Sequence, residues 1–256
     1  MKLRSMMCVG AMALATAALA DYTDGKVCGW MRIDSTLPVT AVGVPWVDVS
    51  NTNNNVKVAD LVKTDGLTAG DKLYVYNGGT WSFYTLENNA WVAGNTANAS
   101  TPSGVTVAGN PAEATIARGQ ALYLERQYPT NPGYFYVYGA VGGAVPAQNL
   151  AANSTYLLAS PKAEIFDLNG TGKISAANAA DQIIVPLAGG ESKVFTYRNS
   201  KWGYSETRAV TAADQVSMPW LPLGQTATFR VENGVIDLGT GFWYKTAAGS
   251  TPTINW

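Results

Sequence analysis

Lys72-Leu73-Tyr74-Val75-Tyr76-Asn77-Gly78-Gly79-Thr80-Trp81-Ser82-Phe83 is the stretch that decides the fold class. Leu73 and Val75 alternate with Tyr74 and Tyr76, the period of a strand that buries one face. Gly78-Gly79 supplies a short turn and a second strand opens on Trp81, so the stretch predicts a β-hairpin. A similar phrase, Lys193-Val194-Phe195-Thr196-Tyr197-Arg198-Asn199-Ser200-Lys201-Trp202-Gly203-Tyr204, begins 121 positions later. Arg118-Gly119-Gln120-Ala121-Leu122-Tyr123-Leu124 matches Leu238-Gly239-Thr240-Gly241-Phe242-Trp243-Tyr244 at a spacing of 120. At the same spacing Pro132, Tyr134 and Tyr136 fall on Pro252, Ile254 and Trp256. A weaker match sets Val44-Pro45-Trp46 against Ser160-Pro161-Lys162. Self-similarity at one period is the mark of a repeated unit.

Working outward, long helical periodicity is missing; 58–62 and 176–182 each suit one short helical turn. Pro186 and the scattered Gly and Asn residues break anything longer. The expected fold is all-β: two tandem related β-sandwich or partly open β-barrel repeats, 21–138 and 147–256, joined by the small-residue linker 139–146. The Thr-, Ser-, Asn- and Gly-rich stretch 95–111 reads as a long surface loop.

Residues 1–20 read as a secretory signal peptide. Lys2 and Arg4 precede an apolar, Ala-rich run, and Ala18-Leu19-Ala20 is a small-x-small cleavage site that leaves Asp21 first. The run is too short for a stable membrane span, so the mature chain is expected to have no integral span and to be extracellular, on the cell surface or periplasmic. Cleavage removes Cys8 and leaves Cys28, a single thiol that cannot form an internal disulfide and is expected to be buried. The terminal Trp256 also suits an outer-membrane barrel, but Pro252 and the 247–250 turn interrupt the last segment.

Composition excludes several functions. Charged residues are 14% of the 256, against the usual quarter, so neutral polar groups must carry the surface. A net charge of −1 with no basic run argues against nucleic acid as a partner. With 0 His there is no Ser–His–Asp or Cys–His chemistry and no His-ligated metal.

Three kinds of site remain. Asp167-Leu168-Asn169-Gly170-Thr171-Gly172-Lys173-Ile174 resembles a dockerin or EF-hand calcium loop over eight residues, with Asp167, Asn169 and Thr171 in ligand slots and Gly172 at the bend. Thr171 and Asn178 stand where carboxylates are wanted, so a plain turn is the favoured reading and no cofactor is expected unless calcium. Among the aromatics, Trp81 and Trp202 recur in the matched phrases and are expected to pack each repeat's core. Trp46, Trp91 and Trp220 have no clear counterpart and are the candidates for exposed, ligand-stacking rings. The carboxylates Asp60, Asp65, Asp71, Asp181, Glu191, Glu206 and Asp237 are scattered, mostly in turns, whereas a glycosidase needs two in one cleft.

The phrases Gly70-Asp71-Lys72-Leu73-Tyr74-Val75-Tyr76, Ala117-Arg118-Gly119-Gln120-Ala121, Trp202-Gly203-Tyr204, Gly239-Thr240-Gly241-Phe242-Trp243-Tyr244 and Pro252-Thr253-Ile254-Asn255-Trp256 make the chain similar to uncharacterised secreted duplicated-repeat β proteins of the verrucomicrobial and related bacterial group. That resemblance implies export and duplication and carries no activity. The expected function is a non-catalytic secreted or cell-surface structural or interaction protein, with a protein partner or a second copy of itself. A carbohydrate-binding module that meets a glycan through exposed aromatics is the alternative, and a carboxylate-based hydrolase the third reading.

Overall fold

A computed structural model describes the backbone of residues 6–11, 14–20, 27–45, 55–63, 66–77, 79–94, 105–106, 110–111, 113–140, 145–162, 164–187 and 191–256. In chain order the first half holds β1 (Met6–Ala11), β2 (Leu14–Ala20), β3 (Val27–Asp34), β4 (Val39–Gly43), β5 (Asn55–Lys57), α1 (Val58–Leu61), β6 (Val62–Lys63), β7 (Lys72–Asn77), β8 (Thr80–Glu87), β9 (Ala90–Ala93), β10 (Val105–Thr106), β11 (Thr115–Ala117), β12 (Ala121–Glu125) and β13 (Tyr134–Ala140). The second holds β14 (Gln148–Asn149), β15 (Thr155–Ala159), β16 (Phe166–Asp167), β17 (Ile174–Ser175), β18 (Gln182–Pro186), β19 (Ser192–Arg198), β20 (Lys201–Ala209), α2 (Ala212–Ser217), β21 (Thr226–Val231), β22 (Val235–Ile236), β23 (Gly241–Lys245) and β24 (Thr253–Ile254). The protein is all-β. Its sheets are open paths, with no closed barrel among the described residues. No helix of the described residues is long and apolar enough to cross a membrane.

In the first half one sheet runs β1-β2-β3-β13-β6 and another β10-β8-β7-β12-β4, with β9 on β8. Between them Met31, Val42, Leu73, Leu86, Trp91, Leu122, Phe135 and Val137 form one core. In the second half the large sheet runs β15-β23-β18-β19-β20-β21, with a small sheet β14-β24-β17 beside it. Phe166, Ile183, Phe195, Trp202, Phe242, Tyr244 and Ile254 form its core. Alternation explains who is inside: Leu73 and Val75 are buried on β7, Ile183 and Val185 on β18.

The predicted hairpin at β7–β8 is present, with Asn77 opposite Thr80, and so is the one at β19–β20, with Arg198 opposite Lys201. The pairing corrects their relation. β7 is bonded to β12, whereas β18 stands between β19 and β23. The strand that takes β7's place is therefore β18, and Asp71 and Asp181 each precede theirs by one residue. Likewise Trp91 lies across from Leu86, just past the turn Asn88-Asn89 (φ 49° and 61°), as Trp202 lies across from Tyr197, past Asn199-Ser200 (φ 51° and 62°). Both turns have the two left-handed residues of a tight hairpin. Trp202 thus shares its setting with Trp91, not with Trp81. Aromatic strands one hairpin apart look alike in sequence, and hydrogen-bond order separates them. At the chain end Ile254 is buried, whereas Tyr134, which the spacing of 120 sets against it, is half-buried and its neighbour Phe135 is buried.

Of the two expected helical turns, 58–61 forms as α1; 176–181 is irregular and Gln182 opens β18, and α2 carries no signal beyond Thr211 and Asp214 at its cap. Cys28 pairs in backbone register with Ala140. The loop 95–111 is described only in part, and contains the short β10.

Two buried carboxylates lock distant turns. Asp71 accepts from the Thr68 and Gln127 backbone N–H at 2.9 and 2.8 Å. Asp181 accepts from the Asn178 and Ala247 backbone N–H at 2.9 and 2.8 Å and from the Ser250 hydroxyl at 2.7 Å. Both are essentially unexposed, at 1% and 0%. Removing either acceptor strands several buried donors. Asp181→Ala and Asp71→Ala should each lower unfolding free energy by about 3 kcal/mol in urea titrations; a loss below the error of the fit would show that these turns hold themselves.

Candidate inter-unit cleft

The site is built where the two large sheets meet. On β4, β12, β15 and β23, alternate residues turn away from their own core. Val42, Leu122, Leu158 and Phe242 face inward, while Gly43, Ala121, Leu157, Ala159, Gly241, Tyr123 and Trp243 face the other sheet. Small residues let the backbones close up: a Cβ on Gly43 would lie 2.7 Å from that of Ala159, and one on Gly241 2.7 Å from that of Ala121. Backbone bonds tie the seam twice, Gly43 N–H to Gly239 O and Ala159 N–H to Gly119 O, each 2.8 Å. Bridges Val42 to Thr240 and Gln120 to Leu158 flank them. Gly119 and Gly239 have φ of +88° and +74°, a conformation that favours glycine.

Over this seam lies an aromatic cluster. Trp243 Nε1 donates to the Tyr123 hydroxyl at 2.8 Å. Tyr76 lies 5.0 Å from Trp81 and 5.2 Å from Trp243 between ring centroids, and Trp81 lies 5.8 Å from Tyr123. Trp81 therefore belongs to the seam, half-buried, rather than to a unit's own core. Burial pushes the Tyr123 phenol up, and the bond from Trp243 pulls it partly back. Burial, then the hydrogen bond to Glu125, raises Tyr74.

A cleft opens at each end of the seam. The larger, about 780 Å3, is lined by Tyr76, Arg118, Gln120, Gln148, Tyr156 and Trp256 among others. The smaller, about 390 Å3, is lined by Asp34, Thr40, Leu187, Asp237 and Thr240 among others. They occupy matching strand positions: Thr40 faces Leu124 as Tyr156 faces Tyr244, and Thr240 bridges to Val42 as Gln120 bridges to Leu158. In the larger cleft Gln120 Nε2 donates to Tyr76 O at 2.6 Å, which fixes its carboxamide. Arg118 Nε donates to Pro161 O at 2.6 Å, and burial lowers its guanidinium. The Tyr156 hydroxyl accepts the Ala151 N–H at 2.8 Å, so its own proton points elsewhere.

The sequence candidates do not gather here. Trp46 lies outside the described residues. Trp91 is 5% exposed and packs in the first core, which overturns its reading as an exposed stacking ring: the tight Asn88-Asn89 turn sends its strand straight back over Leu86. Trp220 is 72% exposed, on the segment after α2, and lines neither cleft. In the 167–174 turn Asp167 Oδ1 accepts the Asn169 N–H at 2.9 Å. Both polar atoms of Asn169 are held by the Trp202 backbone, at 2.7 and 3.0 Å, and Thr171 is exposed. A calcium ion at this turn would have to displace the Trp202 N–H from Asn169 Oδ1. No group of three or more His, Cys, Asp or Glu suited to a metal occurs among the described residues. Sequence reasoning missed the cleft because its lining comes from β7, the β11–β12 turn, β14, β15 and the chain end; the spacing-120 match around Gly119 was the available signal.

Comparison of the chain with family models, with curated proteins and with solved structures finds no match in any of the three.

Two outcomes check the seam. Gly43→Val and Gly241→Val should separate the sheets, enlarge the radius of gyration in X-ray scattering and shift the fluorescence of half-buried Trp243 toward the red; an unchanged envelope would show that the halves hold together without close approach. Tyr74, Tyr84, Tyr123 and Tyr244 are all raised, so the folded state keeps their protons better than the unfolded chain does. Their contribution is whole below the unfolded tyrosine value, about 10, and is lost as pH rises beyond it. Melting temperature should fall steeply above about pH 10, with phenolate absorbance from these residues appearing together with unfolding.

Proposed function

We propose that the protein is an exported, non-catalytic binding protein made of two copies of one β unit clasped face to face, akin to the secreted verrucomicrobial repeat proteins it resembles. The observation that carries this reading is the seam, where matched positions meet each other: Gly43 against Ala159, Ala121 against Gly241, Tyr123 against Trp243. Contact of a position with its own counterpart is how a two-fold interface is built. The matching strands support the duplication, with β4, β7, β8, β9 and β12 in the places of β15, β18, β19, β20 and β23. The spacing of matched residues grows from 110 at Asp71 and Asp181 to 120 at Gly119 and Gly239, and the added length in the second unit includes α2.

Binding is favoured over catalysis by what the larger cleft presents. Carboxamides, hydroxyls and a guanidinium held by backbone carbonyls grip a ligand, and the two most buried carboxylates are spent on turns. In this reading 1–20 is a leader. Its removal takes away β1 and β2 and makes β3 the edge of its sheet, in addition to the edge that β21 forms in another, so a second copy of the chain is a natural partner.

Expression of the full chain, followed by fractionation, N-terminal sequencing and light scattering, tests the proposal. The exported fraction should begin at Asp21 and its mass should rise with concentration. Recovery of an unprocessed chain in the cytoplasm would overturn export, and a monomer at every concentration would overturn self-association.

A further inference from the structure

We infer that the larger cleft is a binding site for an extended, uncharged oligosaccharide. The inference rests on the binding reading above and names its ligand class. Three aromatic side chains reach the cleft from separate elements: Tyr76 from β7, Tyr156 from β15 and Trp256 from beyond β24. An aromatic ring meets the C–H face of a pyranose as it meets other weakly polarised C–H groups, and it holds that face out of water. Gln120 and Gln148 share the lining with these rings. A carboxamide offers a donor and an acceptor side by side, the pattern that matches two neighbouring sugar hydroxyls.

The polar groups are also held in place before any ligand arrives. Gln120 is fixed through Tyr76 O, and this leaves its second Nε2 proton and a carbonyl lone pair. The Tyr156 hydroxyl is fixed through the Ala151 N–H, which leaves its proton for donation. Prior ordering of this kind lowers the entropic cost of gripping a flexible chain. Arg118 Nε donates to Pro161 O and Pro45 O, which anchors the guanidinium, and the neutral groups of Gln120, Gln148 and Tyr156 supply the donors and acceptors that match sugar hydroxyls. At about 780 Å3 the cleft falls in the size range of small-ligand sites, wide enough for a few sugar rings.

A peptide laid along β15 is the competing occupant, since β15 is the terminal strand of its sheet. Part of that edge is already taken: Ala159 N–H is bonded to Gly119 O and Leu158 bridges to Gln120. The carboxamides and rings then have no role in a backbone ladder, whereas a sugar chain uses them all.

The test is titration calorimetry and tryptophan fluorescence of the mature full chain with cellohexaose, xylohexaose, mannohexaose, chitohexaose and maltohexaose. At least one should bind, and Gln148→Ala and Trp256→Ala should each weaken it about tenfold or more, a loss of about 1.4 kcal/mol. Trp256 also packs on the second core, so Gln148→Ala, with an unchanged melting temperature, is the variant that decides. Trp220→Ala should bind as the wild type does. The inference fails if no hexasaccharide binds at millimolar concentration, if a strand-forming peptide array binds instead, or if only Trp220→Ala abolishes sugar binding. A chain that is exported and self-associates but binds no sugar would sink this inference and leave the wider proposal standing.

Discussion

Backbone closeness at the seam is the constraint on which the rest depends. Two β sheets with ordinary side chains between them stack roughly 10 Å apart. Here Gly43, Ala159, Ala121 and Gly241 remove the side chains at the point of contact, so that main-chain N–H and C=O groups of different sheets can bond directly. That approach fixes how far apart the flanking strands sit. It also creates the clefts, because the surfaces touch at the centre and diverge toward Tyr76 and Tyr156 on one side and Thr40 and Leu187 on the other. The aromatic cluster of Tyr76, Trp81, Tyr123 and Trp243 covers the divergence and shields the seam bonds from water.

Each half has a core and a buried carboxylate, and Leu238 of the second half packs into the core of the first. Asp71 and Asp181 play one part: each joins the turn that precedes a central strand to the end of the strand bonded beside it, through Gln127 and Ala247. Arg126 adds a second fastening in the first half, donating to the carbonyls of Ser35, Gly66, Pro129 and Pro132. A charge surrounded by carbonyl oxygens in this way orders the loops near it. The second half has no arginine there; Thr246 occupies the position and ties Ala151 and Ser154 instead.

The fold class was legible because strand alternation is a local property: Leu73, Val75, Ile183 and Val185 announce a buried face without knowledge of any neighbour. Turn chemistry was equally local, as at Asn199-Ser200. The relation between the halves was only partly legible. Spacing around Gly119 and Gly239 agrees with the hydrogen-bond order, while Trp81 was matched to Trp202 when Trp91 holds the corresponding place. The sequence around Trp91 carries no sign that the Asn88-Asn89 turn folds it back into the core. The cleft was illegible because its members are separated along the chain by the whole of a unit, and nothing in a single strand's pattern reports what an opposing sheet brings to it.

The segment from α2 to β21 has a consequence of its own. Val216 is 87% exposed, and Trp220 and Leu223, further along the same connection between β20 and β21, are exposed too. Large apolar side chains left in water on one connection are surface that a contact could cover. None of the three lines either cleft, so this connection can change in length and composition while the cleft walls stay as they are.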